Sequence, residues 1–110
     1  MQAESLSDLV RQHLDIAREA SSGRSAHTVH GGHEHRLRQT LIALASGQRL
    51  DEHESPGEAT LQVLAGAVTL VAGDDRHAAT TGDLVVIPDA RHSLETTEDS
   101  VVLLTVAVQV

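Results

Sequence analysis

The hydrophobic pattern of this chain changes from a helical period to a strand period near Gly23. Before that glycine, apolar residues recur every three to four positions and predict one amphipathic helix. They are Leu9, Val10, Leu14 and Ala17. Ser5 and Asp8 are suited to cap the start of this helix, and the segment 21–23 is suited to end it. A single helix needs a surface to pack on, so we expect it to cover one face of the remaining fold or of a second subunit.

After Gly23 the pattern predicts short β-strands separated by turns. Segment 36–45 alternates, which puts Leu41 and Ala43 on one face and Ile42 and Leu44 on the other. The β-rich runs 59–64 and 67–71 flank Gly66, and this predicts a tight hairpin. Further turn signals occur at 73–75 and 81–83. Short strands at this spacing predict an all-β fold, a sandwich or a small antiparallel β-barrel, with an N-terminal α-helix.

The last predicted strand, 100–110, is apolar on both faces over much of its length. A strand with one face in water would alternate more regularly, so we expect both faces to be covered. One face belongs to the barrel core, and the other lies under the N-terminal helix or in a dimer interface. We therefore predict a homodimer.

Length and composition predict a single domain and exclude several classes of binding partner. The 110 residues divide into an N-terminal helical extension, 1–23, and a barrel domain, 24–110. The net charge is −8 and no cluster of Lys and Arg occurs, so we expect no nucleic-acid partner. The sequence shows neither a membrane-spanning run nor a signal-peptide pattern, so we expect no membrane partner and a cytoplasmic location. Phe, Tyr and Trp are absent, which favours small aliphatic or anionic ligands over aromatic ones.

Two glycine-bounded stretches, 47–66 and 82–95, each carry one histidine next to a predicted strand. His53 and His92 are therefore placed to face one shared cavity. Imidazole is a common ligand of Fe, Ni, Zn, Mn and Cu, so the pair marks either a divalent metal site or a metal-free ligand pocket. Ser55 and Gln62 are further polar candidates for binding a ligand.

These two stretches resemble the paired motifs of the cupin superfamily. The matching positions are Gly47, His53 and Gly66 in the first motif and Gly82, Pro88 and His92 in the second. The resemblance implies a small monocupin, an RmlC-like jelly roll, whose metal-binding motifs are degenerate. Ser55 stands where the family has a second histidine, and Ala59, beside Glu58, stands where it has a glutamate.

A third metal ligand has two candidate sources. Glu58 is the nearest carboxylate, although strand parity turns it away from the face of Ala59 unless Pro56 and Gly57 break the alternation. The His-rich tract 27–35 offers His33 and His35 instead. His13 and His77 are assigned to the surface or to packing.

The sequence lacks the serine elbow of the hydrolases and the glycine-rich phosphate loop, and it contains no cysteine nucleophile. The chain is therefore interpreted as a small-molecule-binding or sensing cupin-like domain with a pocket marked by His53 and His92. The alternative that the resemblance implies is a metal-dependent dioxygenase or isomerase acting on a small organic acid or sugar-like substrate. The residues leave open whether the protein is an enzyme.

Overall fold

The computed structural model describes residues 1–55 and 57–109, which form one α-helix and nine β-strands. Their bounds are α1 Leu6–Glu19, β1 Arg24–His30, β2 Leu37–Leu44, β3 Arg49–His53, β4 Glu58–Ala65, β5 Ala67–Ala72, β6 Asp75–Thr80, β7 Leu84–Val86, β8 His92–Thr96 and β9 Ser100–Ala107. Pro56, and Val110 at the end of the last predicted strand, lie outside the described residues. The predicted all-β fold with an N-terminal helix is confirmed.

The strands form two antiparallel sheets that pack face to face. One sheet has five strands in the order β1-β2-β9-β4-β7, and the other has four in the order β3-β8-β5-β6. A core of aliphatic side chains fills the space between them, which the absence of aromatic residues requires. Its largest members are Leu44, Leu61, Leu70, Ile87 and Leu94.

The helix α1 covers the outer face of the five-stranded sheet over β1, β2 and β9. The hydroxyl of Ser5 accepts a hydrogen bond from the backbone N–H of Asp8 at 3.2 Å, so the predicted cap is formed. Leu9 and Ala17 of the helix lie in a second apolar cluster with Leu41 and Val101 of the sheet. Both faces of β9 are therefore covered within one chain, and the homodimer stays a prediction.

The predicted hairpin around Gly66 is wrong. β4 pairs with β7 and β9 in one sheet, whereas β5 pairs with β6 and β8 in the other, so Gly66 turns the chain from one sheet to the next. Its φ is +90°, and a Cβ there would lie 2.4 Å from the carbonyl oxygen of Asp99. A glycine-bounded turn looks the same in sequence whether it joins paired strands or crosses between sheets.

The turns predicted at 73–75 and 81–83 are present. Gly73 and Gly82 both have positive φ, and they connect β5 to β6 and β6 to β7. Among the described residues, no helix is long and apolar enough to span a membrane.

Candidate functional site

His53 and His92 form a cross-strand pair on the four-stranded sheet. They are register partners between β3 and β8, and their ring centroids are 4.4 Å apart at an interplanar angle of 64°. His92 is 4% exposed, and Leu94, two residues further along β8, belongs to the core between the sheets. Alternate residues of a strand share a face, so the pair lies on the inner face of this sheet, with His53 at its exposed edge.

An irregularity in β3 makes this pairing possible. Leu50 packs against the core, and in a regular strand a residue three positions later would face the opposite way. The register of β3 against β8 shifts between Leu50 and His53, as in a β-bulge, and this brings both side chains to the inner side.

The backbone fixes the tautomer of both imidazoles. The Nδ1 of His53 lies 2.9 Å from the carbonyl oxygen of Asp51, and the Nδ1 of His92 lies 2.9 Å from that of Ala90. A carbonyl oxygen only accepts, so each Nδ1 must carry the proton. Each neutral ring then keeps the lone pair of Nε2 for a ligand, the arrangement in which metal-binding histidines are commonly held.

Arg91 ties the two histidine-bearing segments together at the protein surface. Its Nε donates to Glu52 and its Nη1 to Glu54, each at 2.9 Å. The hydrogen bond to Glu52, followed by that to Glu54, raises the pKa of Arg91 above its ordinary value. Both partners of Arg91 are on the segment that carries His53. Arg91 is therefore occupied in bracing β3 against the start of β8.

The other polar candidates lie apart from the imidazole pair or are occupied locally. The hydroxyl of Ser55 donates to the carbonyl of Gly57 at 2.9 Å, in the loop that follows β3. Gln62 and Glu58 are exposed on β4, whereas Ala59, Leu61 and Val63 on the same strand are buried. The alternation places Gln62 and Glu58 on the outer face, turned away from the pair.

His33 and His35 lie in the exposed loop between β1 and β2. Arg38 holds this loop by donating to the carbonyl oxygens of His35 at 3.1 Å and His33 at 3.3 Å. The ring of His35 contacts that of His30, with centroids 5.1 Å apart. The ring of His35 is therefore engaged within its own hairpin, whereas His33 contributes its backbone carbonyl.

The two imidazoles supply part of a metal site. The two rings are close enough for their Nε2 atoms to approach one ion at about 2.1 Å, the usual length of a metal–imidazole bond. Within residues 1–55 and 57–109, no group of three or more His, Asp or Glu side chains is placed to hold a metal. The donor set fits an ion held by two nitrogens, with its other positions open to water or to a ligand.

The inner-facing polar residues of β6 were not singled out from the sequence. Asp75 and His77 share a face with Ala79, which is buried in the core between the sheets. The signal in the sequence was the alternation itself. Asp75 and His77 are two residues apart, and the apolar Ala79 follows two residues later, so all three share one face of the strand. From the sequence, His77 was instead assigned to the surface or to packing.

No protein-family model matches the chain. No curated protein matches it either. Solved structures do: an RmlC-like cupin from Desulfovibrio desulfuricans is 24% identical with a TM-score of 0.73, over 97% of this chain and 96% of that one. A cupin superfamily protein from Desulfitobacterium hafniense is 16% identical with a TM-score of 0.71, over 78% of each chain. A conserved protein of unknown function from Streptococcus pyogenes is 21% identical with a TM-score of 0.72, over 100% of this chain and 91% of that one.

These likenesses establish the fold. The two facing antiparallel sheets are those of a small cupin-like jelly roll. The chain has a cupin-like fold with an N-terminal helix, and the resemblance seen in the sequence is confirmed at that level.

Proposed function

We propose that this protein is a small-molecule-binding module whose ligand site is centred on His53 and His92. The observation that carries the proposal is the cross-strand pair itself. Both rings are oriented by backbone carbonyls through Nδ1, and within residues 1–55 and 57–109 neither Nε2 has a hydrogen-bond partner. Two preset acceptors at one edge of an aliphatic interior suit a small ligand that donates hydrogen bonds or carries an ion.

A divalent transition metal is one partner that this pair can hold. His53 and His92 would bind it through Nε2, and the ion would supply a positive charge and open positions for a ligand. Two protein ligands hold an ion less firmly than three or four, so we expect weak, exchangeable binding. The dioxygenase or isomerase alternative calls for a firmly held ion, so metal affinity separates the two functions.

The test is zinc binding by the full chain, measured by calorimetry and by elemental analysis after gel filtration. We expect a dissociation constant in the micromolar range or weaker and substoichiometric zinc after filtration. His53→Ala and His92→Ala should each weaken binding by about tenfold or more, in the range found when a metal site is perturbed.

His33→Ala is the matched control, because it removes an exposed imidazole from the β1–β2 loop and should leave the affinity unchanged. Stoichiometric metal that survives filtration and is lost in His92→Ala would favour the enzyme instead. Equal zinc affinity in all four proteins would contradict a site at the pair.

A further inference from the structure

A cleft of about 370 Å³ lies where the free edges of the two sheets face each other. The strand β6 ends the four-stranded sheet and β7 ends the five-stranded one, so this seam is not closed by strand pairing. His53 lies on β3, at the opposite edge of the four-stranded sheet. The cleft is therefore a feature separate from the histidine pair.

The cleft also has an apolar lining. Val85 of β7 pairs with the buried Leu61 and packs against the core, and Pro88 continues this wall beyond the strand. Leu70 and Ala72 line the cleft from the four-stranded sheet. An alkyl group bound against these side chains would be removed from water.

Two polar side chains face the same cleft. The register pairs Asp75 with Ala72 and His77 with Leu70, and paired residues share a face, so both point to the inner side. Both line the cleft. Among the described residues, neither side chain has a hydrogen-bond or ion-pair partner. A carboxylate and a neutral imidazole both accept hydrogen bonds, so the cleft offers two acceptors beside an apolar wall.

The charge around the cleft is negative. Arg76 is on the opposite face of β6, where it donates to Glu95 at 2.8 Å and is thus paired away from the cleft. Asp74 in the preceding turn adds a second carboxylate next to Asp75, and the chain carries a net charge of −8. A cation is favoured over an anion at this position.

We propose that this cleft binds a short aliphatic ammonium compound. Its ammonium group donates to the carboxylate of Asp75 and the imidazole of His77, and its alkyl chain lies against Leu70, Val85 and Pro88. The volume lies within the range of about 300–1,000 Å³ that is typical of small-molecule sites. This binding site goes beyond the function proposed for the histidine pair and does not depend on it.

The test is a two-dimensional NMR titration of the full chain with n-butylammonium chloride, n-butanol and sodium butyrate. We expect saturable shifts confined to β5, β6 and β7 with n-butylammonium, weaker binding of the alcohol and none of butyrate. Asp75→Asn should weaken n-butylammonium binding by about tenfold or more, because it removes the charge from the hydrogen bond.

Asp74→Asn removes the same charge one residue outside the cleft, so it should change the affinity less than twofold. His92→Ala should leave these shifts intact, which separates this site from the one at the histidine pair. Equal binding of butyrate, or equal effects of Asp74→Asn and Asp75→Asn, would overturn the proposal. So would β7 shifts that depend on protein concentration without any probe, since they would make this seam a contact between copies of the chain.

Discussion

At the scale of single residues, backbone geometry decides what the important side chains can do. Hydrogen bonds to two backbone carbonyl oxygens set the tautomer of His53 and His92, and a shift in register between β3 and β8 brings the two rings together. Position 66 requires glycine because there is no space for a side chain. Its positive φ and its contact with Asp99 and Ser100 exclude any other residue without movement of the backbone.

Gly66→Ala is expected to lower the free energy of unfolding by about 3 kcal/mol or more, since left-handed strain adds to a clash with backbone atoms. Gly47→Ala is the matched control: its φ is +82°, but nothing lies within 4 Å of the new Cβ. It should cost only about 1 kcal/mol. Urea unfolding of both variants measures the difference, and equal costs would contradict the close approach at the corner.

At the scale of elements, α1 covers one face of the five-stranded sheet, and the four-stranded sheet covers the other face. Leu9 is 8% exposed and packs over the sheet, whereas Ile16 of the same helix is 51% exposed. The helix therefore stabilises the fold through one stripe of side chains.

Leu9→Ala is expected to destabilise the protein by about 2–4 kcal/mol, because it opens a cavity between the helix and the sheet. Ile16→Ala removes a similar volume from an exposed position and should cost less than about 1 kcal/mol. Thermal and urea unfolding compare the two. If the two variants were equally destabilised, the helix would not pack as described.

An ion pair fixes the end of the same helix. The Nε of Arg18 donates to Asp99 at 2.6 Å, and the backbone N–H of Ser46 donates to the other oxygen of that carboxylate at 2.8 Å. These two bonds, that from Arg18 first, lower the pKa of Asp99 below its ordinary value of 3.8. The folded state therefore takes up this proton less readily than the unfolded chain does.

The contribution of Asp99 is complete above pH 3.8 and is lost as the pH falls through its lowered pKa. Asp99→Asn is thus expected to be less stable than the parent at neutral pH and to lose less stability on acidification below that value. Urea midpoints recorded across this range measure both effects. Asp89→Asn, which changes an exposed carboxylate elsewhere, is the control. Parallel pH profiles for the parent and Asp99→Asn would contradict the assignment.

The local pattern of the sequence predicts most of these elements. The cap at Ser5, the two faces of β2 and the turns at Gly73 and Gly82 all depend on neighbouring residues, and all are confirmed. The pairing of β4 and β5 with different sheets depends on contacts distant in sequence, and the predicted hairpin was wrong for that reason. The bulge in β3 and the glutamate partners of Arg91 likewise have no local signal.

At the scale of the whole molecule, the fold leaves polar groups at both edges of one sheet. The inner face of the four-stranded sheet is aliphatic in the middle, with an imidazole pair toward the β3 edge and Asp75 with His77 at the β6 edge. The same jelly roll thus presents two groups of polar side chains with different chemistry. One offers two imidazole nitrogens, and the other a carboxylate and an imidazole beside an apolar wall.

The most direct test of the central claim is an NMR spectrum of the histidine side-chain nitrogens, recorded without metal and during addition of zinc. We predict that His53 and His92 each carry a proton at Nδ1 and keep Nε2 for the metal. Their Nε2 signals should then shift together at lower zinc concentration than those of the other six histidines. Protonation at Nε2 in either ring, or zinc binding first in the 27–35 tract, would contradict a ligand site built on this pair.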